Sequence, residues 1–307
     1  ALQGHGQLLA IGQTVQRRLG QHDSLRHGIE HEGREVGVRP VHARRVGRAG
    51  GVGHPLTLAA RQDAAMTSHS APTRHIVASS GGFLPTDRWG VMAPGAIVRH
   101  ALALARTDRP RVLLIMTASG DDVSYLARSY SALADTSCDV DHLTLFTQPN
   151  RPVDEAVGRA DVVWVGGGSV ANLLALWRLH GVDTALRDAW ERGTVLAGVS
   201  AGSICWHMGG PTDSFGPTLR PVTDALGLLP YGNGVHYDSE AQRRPMVHDL
   251  VARGVLPLTY ATDDGIAIHY EGTDPVAVIA DRDNSPVSAY RVELVGGEVV
   301  ETVLRPG

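Results

Sequence analysis

The chain is 307 residues long, 43% hydrophobic and 20% charged, with a net charge of −4, and all 28 of its Lys and Arg residues are arginine. The acidic balance argues against nucleic acid as partner of the folded part, and no segment reaches the ~18 apolar residues of a membrane span. Two cysteines, Cys138 and Cys205, are too few for a disulfide scaffold, and the absence of lysine excludes a P-loop.

Residues 1–65 hold eleven of the 36 glycines, six histidines and nine arginines against five acids, but no aromatic residue; the first in the chain is Phe83. Such a stretch cannot bury enough apolar surface to offset ordering costs of ~1–2 kcal/mol per residue. It is expected to be a disordered or non-native extension, with Met66 as the natural start and 66–307 as one domain. Its arginines are scattered and carry no nucleic-acid-binding motif. Neither the chain start nor Met66 opens on a charged region followed by an apolar run, so no signal peptide is expected and the protein reads as cytoplasmic.

From residue 74 onward strands and helices alternate. His75 to Ser79 reads as a strand, 98–105 as a helix, and Arg111 to Met116 as a buried strand. A helix is expected over 122–133, opened by acids that suit its positive end. Then come a strand over 140–146 and a helix over 153–159. Asp161 to Val165 is a buried strand running into Gly166-Gly167-Gly168-Ser169, followed by a helix with Leu173, Leu174, Leu176, Trp177 and Leu179 on one face. Val195 to Val199 is another buried strand, breaking at Ser200 into a helix start. Beyond Tyr260 the runs 265–270, 275–280, 287–294 and 299–304 read as β-hairpins closing the domain. This alternation predicts a three-layer α/β/α fold around a mostly parallel, doubly wound sheet, with ligands at the carboxyl ends of its strands.

Gly198-Val199-Ser200-Ala201-Gly202 matches the nucleophile-elbow pattern, in which a sharp strand-to-helix turn lifts a serine hydroxyl above the sheet. A bland βα turn of small residues would match it too. The triple glycine lets backbone N–H groups approach a ligand closely. A serine hydroxyl needs a histidine within hydrogen-bond reach. His207 lies about two turns, ~10 Å, along the helix axis from Ser200; His180 ends the helix before the elbow strand, His248 sits mid-helix and His269 lies in the closing hairpins. His236, in glycine-rich sequence on a strand end or loop, keeps a modest lead on position alone.

The two glycine motifs, followed by Leu228-Leu229-Pro230 and Gly234-Val235-His236-Tyr237, resemble the dipeptidase E and cyanophycinase family of serine peptidases over roughly residues 74–281. That resemblance implies a class I glutamine amidotransferase-like fold with serine in place of the nucleophilic cysteine. Matched motif to motif, Ser200 falls on the nucleophile, His236 on the histidine, and Gly168 and Ala201 on the oxyanion-hole donors. Ser169 stands where the dipeptidase branch carries asparagine. The family places its acid between serine and histidine, which points to Asp213; Asp224 is the rival in that interval, and Asp238 and Glu240 are sequence neighbours of His236. The implied activity is an exopeptidase on dipeptides with N-terminal aspartate, or a relative acting on β-linked aspartyl polymers. Arg88, Arg220, Arg243 and Arg244 are candidates to read an acidic side chain.

Two other classes fit less well. An α/β-hydrolase esterase shares the elbow, but places its histidine near the chain end and uses an HGGG loop that this sequence lacks. A non-catalytic amidotransferase-like binding module would not need both Ser200 and His236. The expected partner is a small peptide, with no nucleic acid and no membrane. No cofactor is expected, and no metal: there is no H-E-x-x-H, and Asp263-Asp264 has no histidine pair nearby in sequence.

Overall fold

In the computed structural model, residues 72–282 and 287–306 are described. All of them lie within the compact unit Met66–Gly307. The expected extension over 1–65 falls outside the described residues.

Strand β1 (His75–Ser79) leads through a small hairpin, β2 (Phe83–Pro85) and β3 (Met92–Pro94), into helix α1 (Ala96–Ala103). Next come β4 (Arg111–Ile115), α2 (Val123–Leu133), β5 (Asp139–Leu143), α3 (Val153–Gly158) and β6 (Val162–Val165). Helices α4 (Val170–His180) and α5 (Val182–Glu191) precede β7 (Val195–Val199) and the single-turn helix α6 (Ala201–Ile204). The chain continues through β8 (Gly210–Thr212), β9 (Arg220–Val222), β10 (Gly232–Gly234), α7 (Arg243–Ala252) and β11 (Thr259–Thr262). It closes with β12 (Ile266–Glu271), β13 (Asp274–Ala280), β14 (Ala289–Val295) and β15 (Glu298–Leu304).

The main sheet has seven strands in the order β13-β12-β1-β7-β6-β4-β5. Strands β1, β7, β6, β4 and β5 run parallel, and β12 and β13 add an antiparallel edge beside β1. Alternate residues of the parallel strands feed two cores. Ile76, Leu113, Ile115, Val163, Val165 and Leu196 pack with helices α3 to α6; Val77, Val112, Leu114, Val162, Trp164 and Ala197 pack with α1 and α2. Burial on both faces is why these strands read as unbroken apolar runs, and it makes the three-layer architecture.

Local signals fix the boundaries. Asp122 caps α2 by accepting from Tyr125 N–H, and Ser169 caps α4 through Asn172 N–H at 3.2 Å. Gly181, with φ 72°, ends α4 and lets α5 begin at once. That second helix was not expected from the sequence; its buried residues Val182, Ala185, Leu186, Ala189 and Trp190 are interleaved with charged ones. The closing hairpins also divide. β12 and β13 join the main sheet, whereas β14 pairs with β11 and β15 with β14 in a separate four-stranded sheet, order β10-β11-β14-β15, backed by α7. No helix among the described residues is long and apolar enough to cross a membrane.

Candidate active site

Ser200 sits at the carboxyl end of β7 with φ 57° and ψ −112°, a conformation outside the regions open to L residues. The turn closes only because its flanks are glycine. A Cβ on Gly198 would lie 2.4 Å from the Gly202 carbonyl oxygen, and one on Gly202 would lie 2.3 Å from that of Val165. Gly167 crosses in front of the serine: a Cβ there would come within 3.2 Å of Ser200 Cβ. Gly168, at φ 135°, has no room for a side chain either, since a Cβ would meet Ala118 O at 2.3 Å. Neither Gly168 N–H nor Ala201 N–H is taken up by a backbone carbonyl among the described residues. Both N–H groups are thus without a backbone acceptor, one at the end of the glycine loop and one directly after Ser200. Since α6 is one turn long, the donor there is the free N–H of Ala201 itself, with little helix dipole behind it.

His236 follows β10 with φ 52°. Its Nδ1 lies 2.6 Å from Asp264 Oδ1, so Nδ1–H donates to the carboxylate and the Nε2 lone pair is left free. The side chain of His236 is 23% exposed and that of Asp264 49%, so the pair opens to solvent. The strands explain the meeting. β10 and β11 are parallel, with Gly234 paired to Ala261, and His236 and Asp264 stand just beyond their carboxyl ends.

Asp213 is not at this position. It is exposed in the turn between β8 and β9, where the neighbouring Ser214 Oγ accepts from Ala171 N–H at the start of α4, 3.4 Å away. That turn leans on the glycine-loop helix, and Asp264 occupies the place beside His236 that the sequence reading gave to Asp213. Asp224 is exposed and pairs with Arg178 at 3.0 Å. Asp238 accepts from Asp264 N–H at 2.9 Å, which anchors the acid's own backbone. Glu240 pairs with Arg243.

One dipeptide at the end of β1 bonds to both segments, Ser79 to the Ser200 turn and Ser80 to His236. Ser79 O accepts from Ser200 N–H at 3.0 Å, and Ser79 Oγ donates to Gly198 O at 2.9 Å. Ser80 Oγ accepts from His236 N–H at 3.1 Å and lies 2.7 Å from Thr262 Oγ1. These positioning residues were missed from the sequence, as was Tyr125, whose ring edge a Cβ on Gly166 would approach to 3.1 Å. Burial pushes the Tyr125 phenol pKa up, so it stays protonated beside the loop.

A cleft of about 430 Å³ adjoins the pair, lined by Ser80, Phe83, Leu84, Asp264, Asp281 and Arg282. A larger one of about 620 Å³ lies by Leu102, Pro110 and Ser137, near the amino ends of β4 and β5, and contains none of these residues. The other histidines are spent elsewhere. His207 is fully buried, its Nδ1 2.9 Å from Ser203 O, with its pKa lowered to about 4 by burial. His248 bonds Glu301 at 2.8 Å.

With this geometry the family match is decisive: the model of peptidase family S51 covers residues 94–278. The chain belongs to peptidase family S51. An uncharacterised peptidase of Bacillus subtilis, YgaJ, is 37% identical over 231 residues, 75% of this chain and 97% of that protein. Peptidase E of Streptomyces coelicolor is 34% identical over 147 residues, 46% of this chain and 58% of its own length. The crystal structure of a peptidase from an acI-B1 actinobacterium superposes with a TM-score of 0.59 at 16% identity, over 77% of this chain and 96% of that one, and supports the fold. This S51 member is a serine peptidase.

Proposed function

We propose that the enzyme is an exopeptidase that cleaves short peptides through Ser200, His236 and Asp264, with N-terminal aspartyl dipeptides as its substrates. The observation that carries this reading is the 2.6 Å contact between His236 Nδ1 and Asp264. It selects the tautomer whose Nε2 can accept the Ser200 proton. Nε2 takes that proton as Oγ attacks the scissile carbonyl. The N–H groups of Gly168 and Ala201 hold the oxyanion, and His236 then protonates the leaving amine. A water molecule, deprotonated by the same Nε2, releases the acyl-enzyme. Asp264 stabilises the imidazolium formed in each half.

An aspartyl side chain needs a cation. Arg243 is buried and committed to Glu240 and Pro211 O, and Arg244 lies over Tyr237 and Tyr290 and bonds Glu301. Arg220 stacks on Phe215, 4.7 Å from its centroid, and Arg88 is exposed in the β2–β3 turn. Arg282 lines the cleft that also holds Asp264, and we assign it the acidic side chain.

A substrate panel of Asp-Leu, Leu-Leu, a β-aspartyl peptide and a p-nitrophenyl ester tests the proposal. Asp-Leu should be hydrolysed and Leu-Leu should not, because only the aspartyl carboxylate can pair with the Arg282 guanidinium. Arg282→Ala should lower kcat/KM for Asp-Leu while Ser200 still reacts. Ester cleavage with no dipeptide cleavage would contradict the peptidase reading, and preference for the β-aspartyl peptide would move the substrate to the polymer-degrading branch.

A further inference from the structure

The amino end of β1 and the carboxyl half of β12 carry a second cluster, remote from Ser79 and Ser80. Register sets His75 directly opposite Glu271, and Val77 opposite His269. His269 and Glu271 are two residues apart on one strand, so all three side chains project from the same face of the sheet. That is the face covered by α1, which brings His100 over it. His75 Nδ1 lies 3.0 Å from His269 Nε2, and His269 Nδ1 lies 3.2 Å from His100 Nε2. The candidate ligand atoms of His75, His269 and Glu271 all fall within 4.8 Å of one another.

We propose that His75 Nδ1, His269 Nε2 and the Glu271 carboxylate bind one divalent ion of zinc type. Two imidazoles and a carboxylate are a donor set for such an ion, with a fourth position left for water. Nitrogens each about 2.0–2.1 Å from a tetrahedral zinc stand roughly 3.3 Å apart, close to the 3.0 Å between His75 and His269. The other nitrogen of His269 is placed as a ligand requires: with Nε2 on the ion, Nδ1–H donates to His100 Nε2, which fixes the tautomer and the ring plane. His269 is buried at 4% exposure, whereas Glu271 is exposed and free to swing inward.

Of the charges facing His75, the Glu271 carboxylate favours a cation and the Arg106 guanidinium opposes it. The ion would clamp the amino end of β1 to β12. About four residue steps of ~3.3 Å along β1 separate it from Ser79, so the site is structural and takes no part in peptide cleavage.

The test uses the full-length protein stripped with chelator, then titrated with Co²⁺ and Zn²⁺ alone. One equivalent of Co²⁺ should give the visible absorption of a four- or five-coordinate ion, displaced by Zn²⁺, and Zn²⁺ should raise the melting temperature. Glu271→Gln and His75→Gln should each weaken binding at least tenfold, and His100→Gln, which touches no metal, by roughly 10- to 100-fold. Peptidase turnover should be the same with and without chelator. Absence of the spectrum, or a spectrum and melting shift unchanged in Glu271→Gln, would overturn the site and assign any binding to other histidines. Glu271 is exposed, so its variant decides even where the histidine variants fail to fold.

Discussion

Ser200 keeps a left-handed φ that only its surroundings enforce, and its immediate neighbours were readable because glycine leaves a pattern in sequence. Ser200→Ala should abolish turnover by several orders of magnitude with the melting temperature nearly unchanged, since the loss is chemical. Residual peptidase activity near the native level would remove Ser200 from the mechanism. Gly202→Ala should behave differently. Its methyl group would sit 2.3 Å from Val165 O, so the elbow must open, with a loss of about 2 kcal/mol or more in stability along with activity. Ser80→Ala would leave His236 N–H without its acceptor, at ~1–3 kcal/mol, and should lower kcat more than it raises KM. Asp264 carries no comparable local signal. It stands 28 residues beyond His236, in an Asp-Asp-Gly that reads as a plain turn, and only the parallel pairing of two short strands brings it to the histidine.

At the scale of elements, the four inner parallel strands β1, β4, β6 and β7 were legible because burial on both faces makes each a largely apolar run, whereas the edge strand β5 mixes polar and apolar residues. The short strands were not. Gly232–Gly234 has no side chain larger than asparagine to mark it as a strand, yet it aims His236. Its glycines are there for contact: a Cβ on Gly234 would meet Ala261 Cβ at 3.0 Å and Val247 Cγ2 at 3.1 Å. Gly234→Val should therefore push β10 away from β11 and α7. The expected cost is ~1–3 kcal/mol, with kcat falling because His236 and Asp264 no longer emerge in step. A stable variant with native kcat would show that the strand pair does not position the site. The histidine cluster escaped notice for a similar reason. His75 and His269 are 194 residues apart, and only antiparallel register makes them neighbours.

For the whole molecule, two histidines held neutral couple stability to pH. Burial takes both His207 and His269 from 6.5 down to about 4. Between those values the unfolded chain binds protons that the folded chain does not, so stability is complete above pH 6.5 and is lost as pH falls toward 4. Each contributes at most about 1.4 kcal/mol per pH unit across that window. Urea midpoints measured with chelator present should drop from pH 6.5 to pH 4, and a flat profile would contradict their neutral burial. The central claim is that Asp264, through His236, activates Ser200. Steady-state hydrolysis of Asp-Leu by Asp264→Asn and Asp213→Asn, compared with the unaltered enzyme, tests it most directly. Loss of the carboxylate that selects the tautomer should cut kcat by about 10⁴-fold in Asp264→Asn, while Asp213→Asn, altered in an exposed turn, should stay within about twofold. An active Asp264→Asn beside an inactive Asp213→Asn would contradict the account.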